Sequence, residues 1–187
     1  MAGHNKWKQI KHKKGAADAK RSKLFAMLGR AIAMESKKAA GSRSAPGLAR
    51  AIEKARAENM PNDNIDRAVA KGAGAGAQSY EDVVYEAYGP GGAALIIEGT
   101  TDSKNRTNNE IKHLLAEHGG TLGTPGSASW AFTKTTEGWE PNMLMPIPPS
   151  DVDKLIALLE KIEEHDDIKE VFTNADLPEE EDGAVKI

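Results

Sequence analysis

Apolar residues recur at helical spacing through the first third of the chain, and they predict three helices there. The first runs from about residue 17 to 40, the second from about 46 to 59, and the third ends near Lys71. Gly41 and Pro46 mark the first turn, and Pro46 suits the opening turn of a helix. Short loops between three amphipathic helices predict a small bundle. Its inward-facing residues are predicted to be Leu24, Leu28, Ala31, Ile32, Leu48, Ile52, Ala55, Ile65 and Val69.

In the second half the apolar segments become short and are separated by glycine and proline, which is typical of strands. Segments 81–88 and 93–100 are predicted to form a hairpin through Gly-Pro-Gly-Gly. A helix follows, in which Thr107 and Glu110 fit a capping box and Gly119 marks the end.

Two further strands, a helix and a last strand complete the pattern. Residues 126–134 are predicted as a third strand and residues 142–148 as a candidate fourth. Ser150 is predicted to cap the next helix, and residues 167–174 form the last strand. The order ββαβ(β)αβ predicts an α+β fold, in which a three-helix bundle precedes an α+β sandwich domain with its helices on one face of the sheet.

A glycine- and alanine-rich segment separates the two halves. The predicted organisation is a basic helical domain over 1–72, a linker over 73–79, an α+β domain over 80–176 and an acidic tail over 177–187. The alternating glycines of the linker follow no strand and precede no Lys-Ser/Thr pair, so they do not predict a phosphate-binding loop.

Charge is distributed very unevenly along the 187 residues, whose formal net charge is −3. Residues 1–72 contain 17 Lys and Arg against 6 Asp and Glu, whereas residues 73–187 contain 8 against 22. This asymmetry favours a basic module that meets a polyanion and an acidic module that does not. The alternative is that the charges are solvated surface.

Composition limits the class of protein. The chain has no cysteine, which removes disulfides and thiolate chemistry from consideration and fits a reducing compartment. No apolar run approaches the length of a transmembrane helix, and no apolar segment of a secretory signal follows the basic start. A mitochondrial presequence would also be basic, but such segments favour arginine and serine over lysine. We therefore expect a cytoplasmic protein without membrane partners.

No pattern of catalytic or metal-binding residues stands out. The histidines lack His-Glu-x-x-His or His-x3-His spacing, and no serine lies in a Gly-x-Ser-x-Gly setting. Glu98 and Asp102 form an acidic pair near a strand end, which we interpret as solvated surface. We predict no catalytic residue, no metal, no cofactor and no small-molecule substrate, so that an enzyme is the minority interpretation.

The lysine-rich start is the strongest functional signal. Lysine suits phosphate contact better than bidentate reading of base edges. Trp7 lies between two lysines, where it either stacks on an unpaired base or anchors the segment on the bundle. With about six phosphate contacts, log affinity would fall against log salt concentration with a slope of about −4 to −5. The predicted nucleic-acid-binding residues are Lys6, Trp7, Lys8, Lys11, His12, Lys13, Lys14, Lys20, Arg21, Lys23, Arg30 and Lys37.

The opening residues MAGHNKWKQIKHKKGAADAKRSKLF resemble the start of the YebC/PmpR family. The segments ENMPNDNIDRAVAKG, YEAYGPGGAALIIEGTTDSKNRT, HGGTLGTPGSASWAF and EEHDDIKEVFTNAD resemble further family blocks in family order. The resemblance implies a helical bundle followed by an α+β domain that a second α+β domain interrupts. Here the chain passes from AFTK almost directly to MLMPIPP, so it resembles a short form that lacks most of the inserted domain.

The resemblance implies a non-enzymatic, nucleic-acid-binding regulator of gene expression, and two targets stay open. One is DNA, as for a transcriptional regulator, which also predicts a homodimer. The other is ribosomal RNA, as for a translation factor that relieves stalling at stretches such as prolines. Lysine together with Trp7 leans towards RNA, as does the lack of a helix-turn-helix pattern with base-reading Asn, Gln or Arg at a helix start. A third hypothesis is a protein-interaction module that works through its acidic half.

Overall fold

A computed structural model of the chain describes residues 17–74 and 79–178, without side chains for residues 17–19. These residues divide into two compact units. The helical unit comprises 17–74, 79–83 and 99–107, and the sheet unit comprises 84–98 and 108–178. The α+β class with an N-terminal helical bundle, predicted from the sequence, is confirmed. The domain boundaries drawn from the sequence stay a prediction.

Three helices form the core of the helical unit. They are α1 (Ala17–Lys38), α2 (Pro46–Ala57) and α3 (Asn62–Ala73). The predicted inward residues of α2 and α3 are buried, because helical spacing places them on one face. On α1 the predicted face is only partly right: Leu28 and Ile32 are buried, but Ala31 is exposed and Ala33 takes its place.

Helices α1 and α3 approach each other closely. Gly72 of α3 lies against the backbone of α1, where an added Cβ would be 2.2 Å from the carbonyl oxygen of Ala33. Next to this contact the hydroxyl of Ser36 donates to the carbonyl of Val69 at 2.7 Å. A residue without a side chain is therefore required where the two helices cross.

Residues 79–178 contain six strands and two α-helices. The strands are β1 (Glu81–Tyr88), β2 (Ala94–Thr101), β3 (Thr121–Leu122), β4 (Phe132–Thr135), β5 (Gly138–Pro141) and β6 (Ile168–Thr173). The helices are α4 (Lys104–Glu117) and α5 (Pro149–Glu164). Four strands form a sheet in the order β3-β1-β2-β6, and β4 and β5 pair as a separate antiparallel hairpin.

Strand β2 is buried on both faces, which explains its almost unbroken apolar sequence. Leu95 and Ile97 pack in the core formed with α4 and α5. Ile96 faces the other way and packs in a second core with Phe132 and Phe172. The sheet therefore has its helices on one face, as predicted, and the β4–β5 hairpin on the other.

Two predicted helix caps are wrong. Thr107 lies inside α4, fully buried, and its hydroxyl bonds to that of Thr101 at 2.8 Å. Ser150 lies inside α5, whose N-cap is Pro148. In both cases the helix begins earlier than the capping pattern indicated.

The strand predicted over 126–134 is mostly wrong. Residues Ser129–Ala131 form a short 3-10 turn, and only the last part belongs to β4. Residues 142–148 form no strand, although Met145 makes one parallel bridge to Ala175. The short β3 at Thr121–Leu122 was not predicted. The final helix and strand agree with the sequence.

Candidate nucleic-acid interface

Helix α1 packs through one side and carries basic residues on another. Spacings of seven residues place Lys23, Arg30 and Lys37 along one stripe. Lys37 is exposed, and the other two are half-buried. The described members of the predicted nucleic-acid-binding set are Lys20, Arg21, Lys23, Arg30 and Lys37.

Arg21 shows how this surface is supported. Its guanidinium lies 5.3 Å from the centre of the Phe25 ring one turn further along α1. This cation–π contact leaves the side chain exposed at the surface. The charge is therefore held at the surface of the helix.

Seven of the predicted nucleic-acid-binding residues lie outside the described residues. Their assignment stays a prediction from the sequence. They are Lys6, Trp7, Lys8, Lys11, His12, Lys13 and Lys14.

Helix α2 also carries exposed basic residues, which are not in the set predicted from the sequence. Arg50, Lys54 and Arg56 are all exposed. Arg50 and Lys54 are four residues apart, so they lie on the same side of the helix. The signal that could have found them is the position of Leu48 and Ile52, which fixes the buried side of α2. The predicted set covered only the opening segment and α1.

Over residues 17–74 the chain carries 12 Lys and Arg against 6 Asp and Glu. Some of these cations form ion pairs within the unit, such as Lys38 with Glu35 at 2.5 Å and Arg43 with Asp66 at 2.7 Å. Exposed pairs of this kind contribute little to stability. The bundle therefore keeps an excess of positive charge suited to a polyanion.

Amide side chains stand at the start of one helix of the bundle. Helix α3 begins Asn62-Asp63-Asn64, so an amide of the kind that reads bases does stand at a helix start. The side-chain carbonyl of Asn64 accepts a hydrogen bond from the guanidinium of Arg67. Its oxygen is thus engaged within α3.

In the sheet unit, the carboxylate of Glu86 holds the loop before β4. It accepts hydrogen bonds of 2.7 Å from three backbone N–H groups. The donors are Gly126, Ala128 and Ser129. Burial alone would raise the pKa of Glu86, but the backbone donors outweigh it and lower the pKa below its ordinary value of 4.5.

We expect Glu86→Gln to destabilise the sheet unit by about 2 kcal/mol near neutral pH, because hydrogen bonds to a charged acceptor are lost. The folded pKa lies below the unfolded one, so this stabilisation is present above about pH 4.5 and is lost as the pH falls through the folded pKa. Urea unfolding between pH 7 and pH 3 measures the free energies of unfolding of wild type and Glu86→Gln, which should converge as the pH falls. The exposed Glu140→Gln is the control, and a difference between wild type and Glu86→Gln that does not vary with pH would contradict the prediction.

Three potential metal ligands meet in the sheet unit. One ligand atom from each of Glu110, His165 and Asp167 lies within 4.8 Å of the other two. The Nδ1 of His165 accepts the backbone N–H of Asp167 at 3.1 Å, which leaves the ring proton on Nε2, 3.0 Å from Glu110. Both ring nitrogens are engaged in this tautomer, so the group acts as a hydrogen-bonded tie between α4 and the turn after α5.

The acidic pair singled out in the sequence also has structural partners. Glu98 accepts a hydrogen bond from the indole N–H of Trp139 at 2.8 Å. Asp102 pairs with Arg106 at 2.9 Å. Both carboxylates are thus held by partners, which departs from the solvated surface that we expected. Within 17–74 and 79–178, no helix combines the length and the apolar character needed to cross a membrane.

Two models of protein-family domains match the chain. Residues 5–75 match the TACO1/YebC protein N-terminal domain, and residues 80–137 match the TACO1/YebC second and third domain. The chain belongs to the TACO1/YebC family. A relative from Dictyoglomus turgidum is 34% identical over 96% of this chain and 98% of its own length. One from Rubrobacter xylanophilus is 35% identical over 96% and 97%.

Both relatives carry the name "Probable transcriptional regulatory protein". Among solved structures, the chain is similar to a conserved hypothetical protein from Aquifex aeolicus. It matches with a TM-score of 0.79 and 31% identity, over 91% of this chain and 96% of that chain.

This member of the TACO1/YebC family is a short form. The alignment with the Dictyoglomus turgidum protein runs over 243 positions, yet 96% of 187 residues is only about 180, so roughly sixty positions of the relative have no counterpart here. The match to the second and third domain stops at residue 137, in the turn between β4 and β5. The family match therefore ends within a tight turn.

Proposed function

We propose that this protein is a non-enzymatic, nucleic-acid-binding regulator of gene expression, acting as a DNA-binding transcriptional regulator in the cytoplasm. The excess of exposed basic residues on the helical unit carries the proposal, because it provides phosphate contacts without specifying a base sequence. The name of the family relatives as transcriptional regulatory proteins supports it. On this proposal the protein binds duplex DNA as a homodimer, without a cofactor.

A second candidate is a translation factor that binds ribosomal RNA and relieves stalling. The observation that favours it is the composition of the opening segment, where lysines flank Trp7. Lysines follow a phosphate backbone, and an aromatic ring stacks on unpaired bases, which ribosomal RNA offers and duplex DNA does not.

Charge reversal of the opening segment tests both candidates. We expect Lys11→Glu, Lys13→Glu and Lys14→Glu together to weaken nucleic-acid binding on the order of 100-fold near physiological salt. The slope of log affinity against log salt concentration should become less steep by about 2 to 3, because three phosphate contacts are lost. Binding of fluorescently labelled duplex DNA and structured RNA between 50 and 300 mM salt measures both quantities.

The matched control makes the same change of charge in the acidic half. Lys112→Glu, Lys154→Glu and Lys161→Glu together should leave the affinity and the salt slope close to wild type. Equal losses in the two triple variants would mean that net charge alone is responsible. No loss in the first variant would favour the third hypothesis, an interaction module that works through the acidic half.

Sedimentation of lysate through a sucrose gradient separates DNA from the ribosome as the target. If the protein travels with ribosomes at low and moderate salt and the first triple variant stays at the top, the translation candidate replaces the transcription proposal. If neither protein enters the ribosomal fractions, recovery of specific genomic fragments with the cross-linked protein supports transcription. Recovery of genomic fragments without preference for any sequence contradicts the transcription proposal.

A further inference from the structure

The side chain of Trp130 projects from the sheet unit. It is 63% exposed, although its neighbour Ala131 is buried in the second core. Tryptophan buries a large apolar area when it packs, so a ring left in water makes no use of that area within this unit. Isolated exposed apolar residues are common, and exposure alone therefore assigns no role to this ring.

The backbone beneath the ring is held unusually firmly. Glu86 accepts three N–H groups of this loop, including that of Ser129 directly before the tryptophan. The hydroxyl of Tyr88 donates to the carbonyl of Ser127. From the other side, the Nδ2 amide of Asn142 donates to the carbonyl of Trp130 at 3.0 Å. The loop that carries the exposed ring is thus fixed before any partner arrives.

The ring itself is also oriented. Its indole N–H donates to the carbonyl of Ser127 at 2.8 Å, three residues earlier in the chain. This bond satisfies the only polar group of the side chain. The flat face of the ring remains available to a partner. It can make a stacking contact but no further hydrogen bond.

The charge around Trp130 differs from that of the rest of the unit. The sheet unit has 5 lysines against 15 carboxylates over 84–98 and 108–178. Residues 119–133, which contain the ring, include no charged residue. Polar uncharged groups lie beside it, with the hydroxyl of Thr133 bonded to Asn142 at 2.5 Å. The Glu86 carboxylate also contacts this loop, where it is hydrogen-bonded to three of the N–H groups. What the surface offers a nucleic acid is therefore the ring and uncharged groups, and not a phosphate contact.

We propose that Trp130 is a preoriented stacking platform for an unpaired nucleobase. The inference rests on the proposed nucleic-acid binding and adds to it a strand with unpaired bases, which the RNA of the second candidate offers and duplex DNA does not. Stacking on tryptophan tolerates any base, because every base has a π-face. The uncharged loop and the tied indole N–H favour a base over a charged protein segment, which would need ion pairs or hydrogen bonds at this surface.

Fluorescence of the ring tests the contact directly. Trp7→Phe combined with Trp139→Phe leaves Trp130 as the only tryptophan of the chain. Single-stranded oligo(A) of twelve nucleotides should quench its emission by at least one third at saturation. A twelve-base-pair duplex should quench it by less than one tenth. Circular dichroism checks that the double variant keeps its fold.

Binding to the otherwise natural chain gives the second readout. Trp130→Ala should weaken binding of single-stranded oligo(A) about tenfold, while Trp130→Phe, which keeps a ring, stays within threefold. Duplex affinity should be the same in all three proteins. Met143→Ala is the control, because Met143 is a second exposed apolar residue, at 64%, without a stacking surface.

The outcomes separate this inference from the proposed function. If labelled oligo(A) binds but neither quenches Trp130 nor responds to Trp130→Ala, the platform is wrong and nucleic-acid binding stands. If neither oligo(A) nor duplex binds, both are wrong. If the emission of Trp130 shifts to the blue with rising protein concentration and dimers form without nucleic acid, the ring is a contact between copies and the platform is again wrong.

Discussion

Gly72→Ala is expected to lower the free energy of unfolding of the helical unit by about 3 to 4 kcal/mol. The new methyl group would lie 2.2 Å from the carbonyl oxygen of Ala33 and 2.7 Å from the Cβ of Ser36. The nearest clash is with backbone, which cannot move aside as the end of a flexible side chain can. Helices α1 and α3 would have to separate, and the buried hydrogen bond from Ser36 to Val69 would be strained.

Urea unfolding followed by circular dichroism measures this loss. Gly74→Ala is the matched control, because its added methyl would lie 3.5 Å from its nearest neighbour, an ordinary contact. We expect the control to remain within about 0.5 kcal/mol of wild type. A loss below 1 kcal/mol for Gly72→Ala would mean that the helices cross less closely than described.

Gly138→Ala is expected to destabilise the sheet unit by about 3 kcal/mol. The residue has φ +127°, which side-chain-bearing residues rarely adopt, and its added methyl would lie 2.6 Å from two ring atoms of Phe172. Phe172 is fully buried in the second core, so its ring has little room to shift. Thermal unfolding measures the effect.

Gly126→Ala separates the two causes of that loss. Gly126 also has positive φ, at +87°, but an added methyl would meet nothing within 4 Å. Its variant should therefore show the backbone cost alone, about 1 kcal/mol. Equal losses in the two variants would show that the contact with Phe172 adds nothing.

The apolar pattern of the sequence predicted correctly those helices and strands whose own buried residues create the pattern. The inward residues of α2 and α3 were predicted correctly, because a helix with one buried face leaves a 3.6-residue pattern. Strand β2 was also found, although its two faces lie in different cores, because a run such as Leu95-Ile96-Ile97 is apolar on both sides.

Features fixed by distant residues were not predictable in the same way. The segment around Trp130 has the composition of a strand, but Glu86, more than forty residues earlier, holds it in a turn. Thr107 has the spacing of a cap, yet its hydroxyl bonds to Thr101 in a buried position. Within the candidate interface, the predicted set covered the opening segment and α1 but left out Arg50 and Lys54. The predicted inward residues Leu48 and Ile52 already implied that these two lie on the exposed side of α2.

The tight β4–β5 turn has a consequence for how the protein folds. Phe132 pairs with Pro141, so the whole hairpin closes within ten residues. With the inserted domain that the family resemblance places after AFTK, the same strands would meet only after a long-range encounter. Here the pairing is local and can form on the microsecond timescale of a hairpin. The short form is therefore expected to assemble this face of the sheet early in folding.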